Sequence, residues 1–120
     1  MPMPHADKLL VPLQKLCDYL LDTEHPVGGA KAEWFASQGY HRGNPESLAD
    51  ALIELAQQSE NWIRHTTRFG VKYVVRGSVM TPVRRAVWLT TVWFIDDGRV
   101  IPRLITAYPN EGPADDSQRT

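Results

Sequence analysis

One cysteine, Cys17, stands in 120 residues, which excludes a disulfide framework and any metal site built from several thiolates. No stretch approaches the ~18 consecutive apolar residues of a membrane span. The opening Met1-Pro2-Met3-Pro4-His5 has neither a basic n-region nor an apolar h-region, so no secretory signal is expected. Together these absences predict a protein of a reducing compartment, cytoplasmic, with no membrane partner. Net charge is also scarce: 13 Lys and Arg stand against 14 Asp and Glu. With 42% apolar residues, that balance excludes disorder of the whole chain. There is no GxGxxG, no P-loop and no GxSxG. The four histidines, His5, His25, His41 and His65, show no HxH or HxxxH pairing, and most acids fall on exposed helix faces. Neither a metal nor a cofactor is therefore expected.

What is present is one domain's worth of chain, with a core large enough to need no staples. Leu9, Leu13, Leu16, Cys17, Leu20 and Leu21 recur at helical spacing, and Pro12 suits the first turn of that helix. A second short helix is expected from about Ala30 to Gln38, with Gly39 as its stop. Asn44-Pro45-Glu46-Ser47 supplies a cap, a proline in the first turn and an early acid for a third helix, whose stripe is Leu48, Ala51, Leu52 and Leu55.

The second half changes period. Segments 61–68, 70–79, 85–95 and 100–108 are rich in Val, Ile, Thr, Trp and Tyr. Asp96-Asp97-Gly98 is a turn signal between the last two. The 85–95 segment is apolar on both parities, as a strand covered on both sides would be. The expectation is an α+β fold: three N-terminal helices packed on a C-terminal antiparallel sheet of about four strands. It should form a single domain over residues 1–109, with a flexible tail over 110–120.

The near-zero charge conceals an asymmetry. Residues 1–60 carry four basic and nine acidic groups, whereas residues 61–103 carry eight basic groups and only Asp96 and Asp97 against them. A basic half suits an anionic partner such as RNA. It equally suits a wet sheet face whose arginines pair with acidic helices.

Chemistry concentrates in the loop His25-Pro26-Val27-Gly28-Gly29-Ala30-Lys31. Gly28 and Gly29, ahead of a helix, would leave N–H groups free to bind an anion. A helical side chain leans toward the N-terminus, so the Lys31 ammonium can reach the same place. His25 adds an imidazole, the usual general base near neutral pH. Thr106 and Tyr108 share a parity at the end of the last strand, where a hydroxyl and a phenol can orient a phosphate or donate a proton. Lys72, with Arg76 and Arg103, could stabilise developing charge on a phosphorane. Each of these groups also has an ordinary structural reading as an interhelix loop, a strand end or a solvated sheet face. Trp34, Trp62, Trp88 and Trp93 read as core rather than base-stacking platforms, and Cys17 as a small core residue.

The order Lys15…Tyr19-Leu20-Leu21, His25-Pro26-Val27-Gly28-Gly29-Ala30-Lys31-Ala32-Glu33-Trp34-Phe35, Gly70-Val71-Lys72-Tyr73, Thr91-Val92-Trp93 and Thr106-Ala107-Tyr108-Pro109 resembles an uncharacterised bacterial family of small domains. The resemblance runs from about Leu9 to Pro109. The chain is also similar, more loosely, to the barnase, colicin and RelE-like ribonuclease toxins, which place helices before a four-stranded antiparallel sheet. That resemblance implies cleavage with His, Lys or Arg, and Thr or Tyr, and without metal. A slightly acidic chain departs from the strongly basic character of many such toxins.

Two functions follow. In the first, the chain is a metal-independent, toxin-like endoribonuclease that cleaves RNA through a 2′,3′-cyclic phosphate. His25, Lys31 and Tyr108 are then catalytic, Gly28, Gly29, Lys72 and Thr106 bind substrate, and a cognate antitoxin or immunity protein is a partner. In the second, it is a non-enzymatic interaction module, immunity-like, antitoxin-like or phage-associated, whose acidic helices bind a basic protein.

Overall fold

The computed structural model describes residues 1–26 and 29–110. Gly28 and the part of the expected tail from residue 111 onward lie outside the described residues. Helices α1 (Leu13–Lys15), α2 (Gly29–Ser37) and α3 (Pro45–Gln58) precede strands β1 (Asn61–Thr67), β2 (Gly70–Met80), β3 (Ala86–Asp96) and β4 (Arg103–Asn110). The strands form one antiparallel meander in the order β1-β2-β3-β4. This is the α+β arrangement that the change of period predicts.

The first helix differs from its expected extent. Leu9 and Leu10 do not join it, because the backbone of Leu10 pairs with the start of β4. Its N–H donates to Pro102 O at 2.9 Å, and Leu104 N–H donates to Leu10 O at 3.0 Å. The helix therefore starts at Leu13, with Pro12 as its N-cap. It then widens into a π-helical turn over Leu16–Leu20, closed by Leu21 N–H donating to Leu16 O at 2.7 Å. Such turns rotate the side chains that follow and often mark working positions. Here the widened turn carries Tyr19.

Helix α2 ends as its glycine predicts. Gly39 has φ +97°, and Tyr40 N–H returns to Phe35 O at 3.0 Å. A Cβ at Gly39 would also lie 2.8 Å from Pro82 Cβ, so the residue is required twice over. Gly39→Ala is expected to cost about 2–3 kcal/mol, from left-handed strain plus this clash, read as a lower urea midpoint at unchanged slope. Helix α3 starts with Pro45 in its first turn, as expected. The Asn44 side chain, however, accepts from His41 N–H at 2.8 Å and does not cap the helix.

The core lies between α3 and one face of the sheet. Leu48, Leu52 and Leu55 are buried against Tyr73, Val75, Leu89 and Trp93. Gly77 lets α3 come close, since a Cβ there would meet Leu55 Cγ at 3.0 Å. Trp93 is fully buried and donates to Thr91 Oγ1 at 2.8 Å, and Thr91 in turn donates to Val75 O at 3.0 Å. Trp34, Trp62 and Trp88 are only half-buried, as is Cys17. The other sheet face alternates with the first and carries Lys72, Val74, Trp88, Thr90, Val92, Phe94, Thr106 and Tyr108. A bulge shapes that face in β4. Val92 pairs with Thr106 while Trp93 pairs with Leu104, so Ile105 is the extra residue. The bulge lets Leu104 and Ala107 both turn into the core while Thr106 and Tyr108 turn out of it.

Candidate functional site

Two stretches far apart in sequence, residues 15–31 and 106–108, meet at β4. The Lys31 ammonium, one turn into α2, donates to Thr106 Oγ1 at 3.0 Å across 75 residues. The same Nζ stands 5.1 Å from the ring centre of Tyr19 and 5.7 Å from that of Tyr108. Both distances fall within cation–π range. On the Tyr19 side, the His25 ring meets the tyrosine edge-on, with centroids 5.0 Å apart and planes at 85°. A second ammonium, Lys15 Nζ, lies 5.6 Å from the centre of the Tyr19 ring. Tyr19 is thus a hub that touches an imidazole and two ammonium groups.

The local chain explains the meeting. The π-turn sends Tyr19 toward the loop, and the loop is pulled tight by Gly29. Its N–H donates to His25 O at 2.9 Å, and a Cβ on it would lie 2.7 Å from the Thr23 carbonyl oxygen. The Gly29 amide is therefore engaged in closing the loop and is not turned toward an anion. The positive charge at this point comes from side chains. Lys31 and Thr106 are half-buried, and Tyr108 is 39% exposed. The cluster is thus screened from bulk water on one side and open on the other.

Of the residues singled out in the sequence, Lys31, Thr106 and Tyr108 are brought together, and His25 adjoins them through the Tyr19 ring. Lys72 is not among them. It is exposed on the same sheet face as Thr106, but two strands away and in the neighbouring cross-strand row, opposite Phe94. Arg103 is also committed elsewhere, since it grips both carboxylate oxygens of Asp96 at 2.8 and 3.1 Å. That hydrogen-bonded guanidinium holds the Asp96 carboxyl below the usual carboxylate range. Tyr19 and Lys15 were not singled out as site residues. Their signal was a polar head and a phenol on the flank of an otherwise apolar stripe. Among the described residues, no three His, Cys, Asp or Glu side chains converge to hold a metal ion, and no helix is long and apolar enough to cross a membrane.

Chemically, the cluster offers fixed positive charge, three hydroxyl groups and an imidazole around one exposed point. Two ammonium groups against a single ring repel each other, and an anion seated between them relieves that repulsion.

The fold is similar to a chain of the solved contact-dependent growth inhibition toxin–immunity protein complex from Klebsiella pneumoniae 342. The TM-score is 0.69 at 17% identity, over 89% of this chain and 97% of that one. At that identity the likeness is one of fold. No curated protein matches the sequence. A family model does, across residues 2–111, which is nearly the whole chain and spans every element that builds the cluster. The protein belongs to the family described as Domain of unknown function (DUF6883).

Proposed function

We propose that the chain is a metal-independent endoribonuclease of toxin type, working at the Tyr19–His25–Lys31–Thr106–Tyr108 cluster. The observation that carries this reading is the Lys31 ammonium, held by Thr106 and framed by two tyrosine rings, with His25 edge-on to one of them. A half-buried ammonium tethered in this way adds little to stability. It is well made for stabilising charge on a phosphate.

In the proposed reaction, His25 takes the proton of a ribose 2′-OH. The 2′-oxygen forms a bond to the adjacent phosphorus, and the bond from phosphorus to the 5′-oxygen breaks. Tyr108, or a water beside it, gives that oxygen its proton. Lys31 and Thr106 hold the non-bridging oxygens, where negative charge builds. The products are a 2′,3′-cyclic phosphate and a free 5′-hydroxyl, and proton exchange with water resets His25 and Tyr108. Lys72, on the same sheet face but outside the cluster, fits a contact to the RNA backbone beyond the cleaved bond. A toxin of this kind needs a cognate antitoxin or immunity protein. A fold shared with a chain of a toxin–immunity complex agrees with such a partner.

The diagnostic experiment is cleavage of an RNA oligonucleotide, followed by mass analysis of the ends. Fragments ending in 2′,3′-cyclic phosphate are expected, with cleavage abolished by a 2′-O-methyl group at the cut position. Cleavage that persists beside a 2′-O-methyl would rule out this mechanism.

The interaction-module reading draws on a different observation. Helix α3 exposes Glu46, Asp50 and Glu54 at four-residue spacing, an acidic stripe that suits a basic protein.

A further inference from the structure

Among the described residues, one stretch of the sheet edge has no neighbouring strand. Strand β1 begins at Asn61, opposite Arg76, but β2 continues to Met80. Residues Gly77 to Met80 are paired with β3 on one side, from Leu89 to Ala86, and among the described residues have no strand on the other. The direction of their backbone groups follows from their neighbour. The Arg76 carbonyl accepts the Ser59 hydroxyl on the β1 side. In an antiparallel sheet the N–H and C=O of one residue point to the same side, and those of the next residue to the other. Ser78 and Met80 therefore direct their N–H and C=O groups to the open edge, while Gly77 and Val79 bond to β3.

This edge forms one wall of a cleft of about 680 Å³, which also takes in Glu54, Ser59, Glu60 and the half-buried Trp88. The two edges of the β1–β2 hairpin differ in how they are protected. Strand β1, the outer edge, carries Arg64 and His65 and ends next to Arg68, charges of the kind that discourage strand addition. The Gly77-Ser78-Val79-Met80 edge has no charge, no proline and no bulge of its own, and Met80 is 67% exposed. One charge, Arg76, lines the cleft from β2 itself, on the sheet face of Trp88 and Met80, whereas the charges on the opposing wall are acidic. Glu54 ends the α3 stripe, and Glu60 already holds the amino group of Met1 at 3.2 Å.

We propose that this cleft receives an extended, basic segment of a partner polypeptide, which adds to β2 as a strand alongside Ser78 and Met80. Main-chain hydrogen bonds supply the attachment. Side chains alternate along the added strand. Lysine or arginine on one parity meets Glu54 and Glu60, and apolar residues on the other cover Met80 and Trp88. The same carboxylates disfavour two other occupants. A second copy of this chain would bring acid against acid, and a nucleic acid would bring phosphate against acid. The proposal stands apart from the nuclease reading, because it uses no residue of the Lys31 cluster.

The test uses an end-capped hexapeptide of alternating Lys and Val, titrated into the 15N-labelled full chain, with a Glu–Val hexapeptide as control. Saturable binding of the Lys–Val peptide is expected, with new amide-exchange protection at Ser78 and Met80 and unchanged protection at Gly77 and Val79. Ser78→Pro removes an edge donor and leaves the β2–β3 ladder intact, so it should weaken binding by roughly fivefold to tenfold. Glu54→Gln combined with Glu60→Gln leaves the backbone edge untouched and should abolish the preference for the Lys–Val peptide. The proposal is overturned by absence of saturable binding at millimolar peptide, by equal affinity for the Glu–Val peptide, or by protection spread evenly over residues 77–80. Concentration-dependent dimerisation that protects Ser78 and Met80 without peptide would also overturn it, in favour of a second copy.

Discussion

Lys31→Ala is expected to lower the rate of RNA cleavage by roughly 100- to 1,000-fold, the usual cost of removing one preorganised charge stabiliser from a transition state. Stability should hardly change. The ammonium is half-buried, its hydrogen bond to Thr106 Oγ1 is a single contact, and each ring contact is worth about 0.5–1 kcal/mol at a partly exposed site. Lys31→Arg keeps the charge but moves it beyond the tyrosine frame and should recover only part of the rate. Thr106→Val, which removes the hydroxyl that fixes Nζ, should cost less than loss of the ammonium itself. Single-turnover cleavage assays paired with thermal melts separate the two roles. A large fall in melting temperature with unchanged cleavage per folded molecule would make Lys31 a structural residue.

The largest effect on stability should come from Trp93→Ala, about 3–5 kcal/mol, because the side chain is fully buried among residues of α3 and the sheet. The loss is mainly a cavity. Thr91 gives up the indole N–H as a donor but keeps its own bond to the Val75 carbonyl, so no buried hydroxyl is orphaned. In a domain of this size that corresponds to a fall in melting temperature of roughly 10–20 °C. Trp93→Phe retains most of the buried area and should cost distinctly less. A drop of under ~1 kcal/mol for the alanine variant, by urea titration, would mean that the core is not organised around this residue.

The elements read most readily from sequence are those whose local signals agree with their tertiary surroundings. Helix α3 has proline in its first turn and Leu48, Leu52 and Leu55 on one stripe, and packing against β2 asks for that same stripe. Strand β3 is apolar on both parities because Leu89 and Trp93 face α3 while Val92 and Phe94 are half-covered on the other side. Gly39 ends α2 because its φ is positive. The elements that escaped are those decided by long-range pairing. Leu9 fits a helical stripe, yet the backbone of its neighbour Leu10 is taken by Pro102 and the start of β4. Val100 and Ile101 have strand propensity but remain exposed, and β4 starts only at Arg103, after Pro102. Asn110 extends β4 one residue past the expected end of the domain, and its side chain accepts from Thr90 Oγ1 at 2.8 Å.

The candidate cluster divides in the same way. His25, Lys31, Thr106 and Tyr108 stand out by residue type at loop, helix-start and strand-end positions. Tyr19 does not, because its place depends on a π-turn that no local spacing announces. Lys72 shares the face of Thr106 but stands two strands away from it. A single sequence gives its parity without its distance from β4.

The most direct measurement of the central claim is digestion of total RNA in the presence of EDTA by the wild-type chain, His25→Ala and Lys31→Ala, each first shown to be folded by circular dichroism. The account predicts wild-type cleavage that survives chelation and is lost, or reduced by at least roughly 100-fold, in both variants. Absence of cleavage by folded wild-type protein across several RNA substrates would contradict it, as would full activity in either variant.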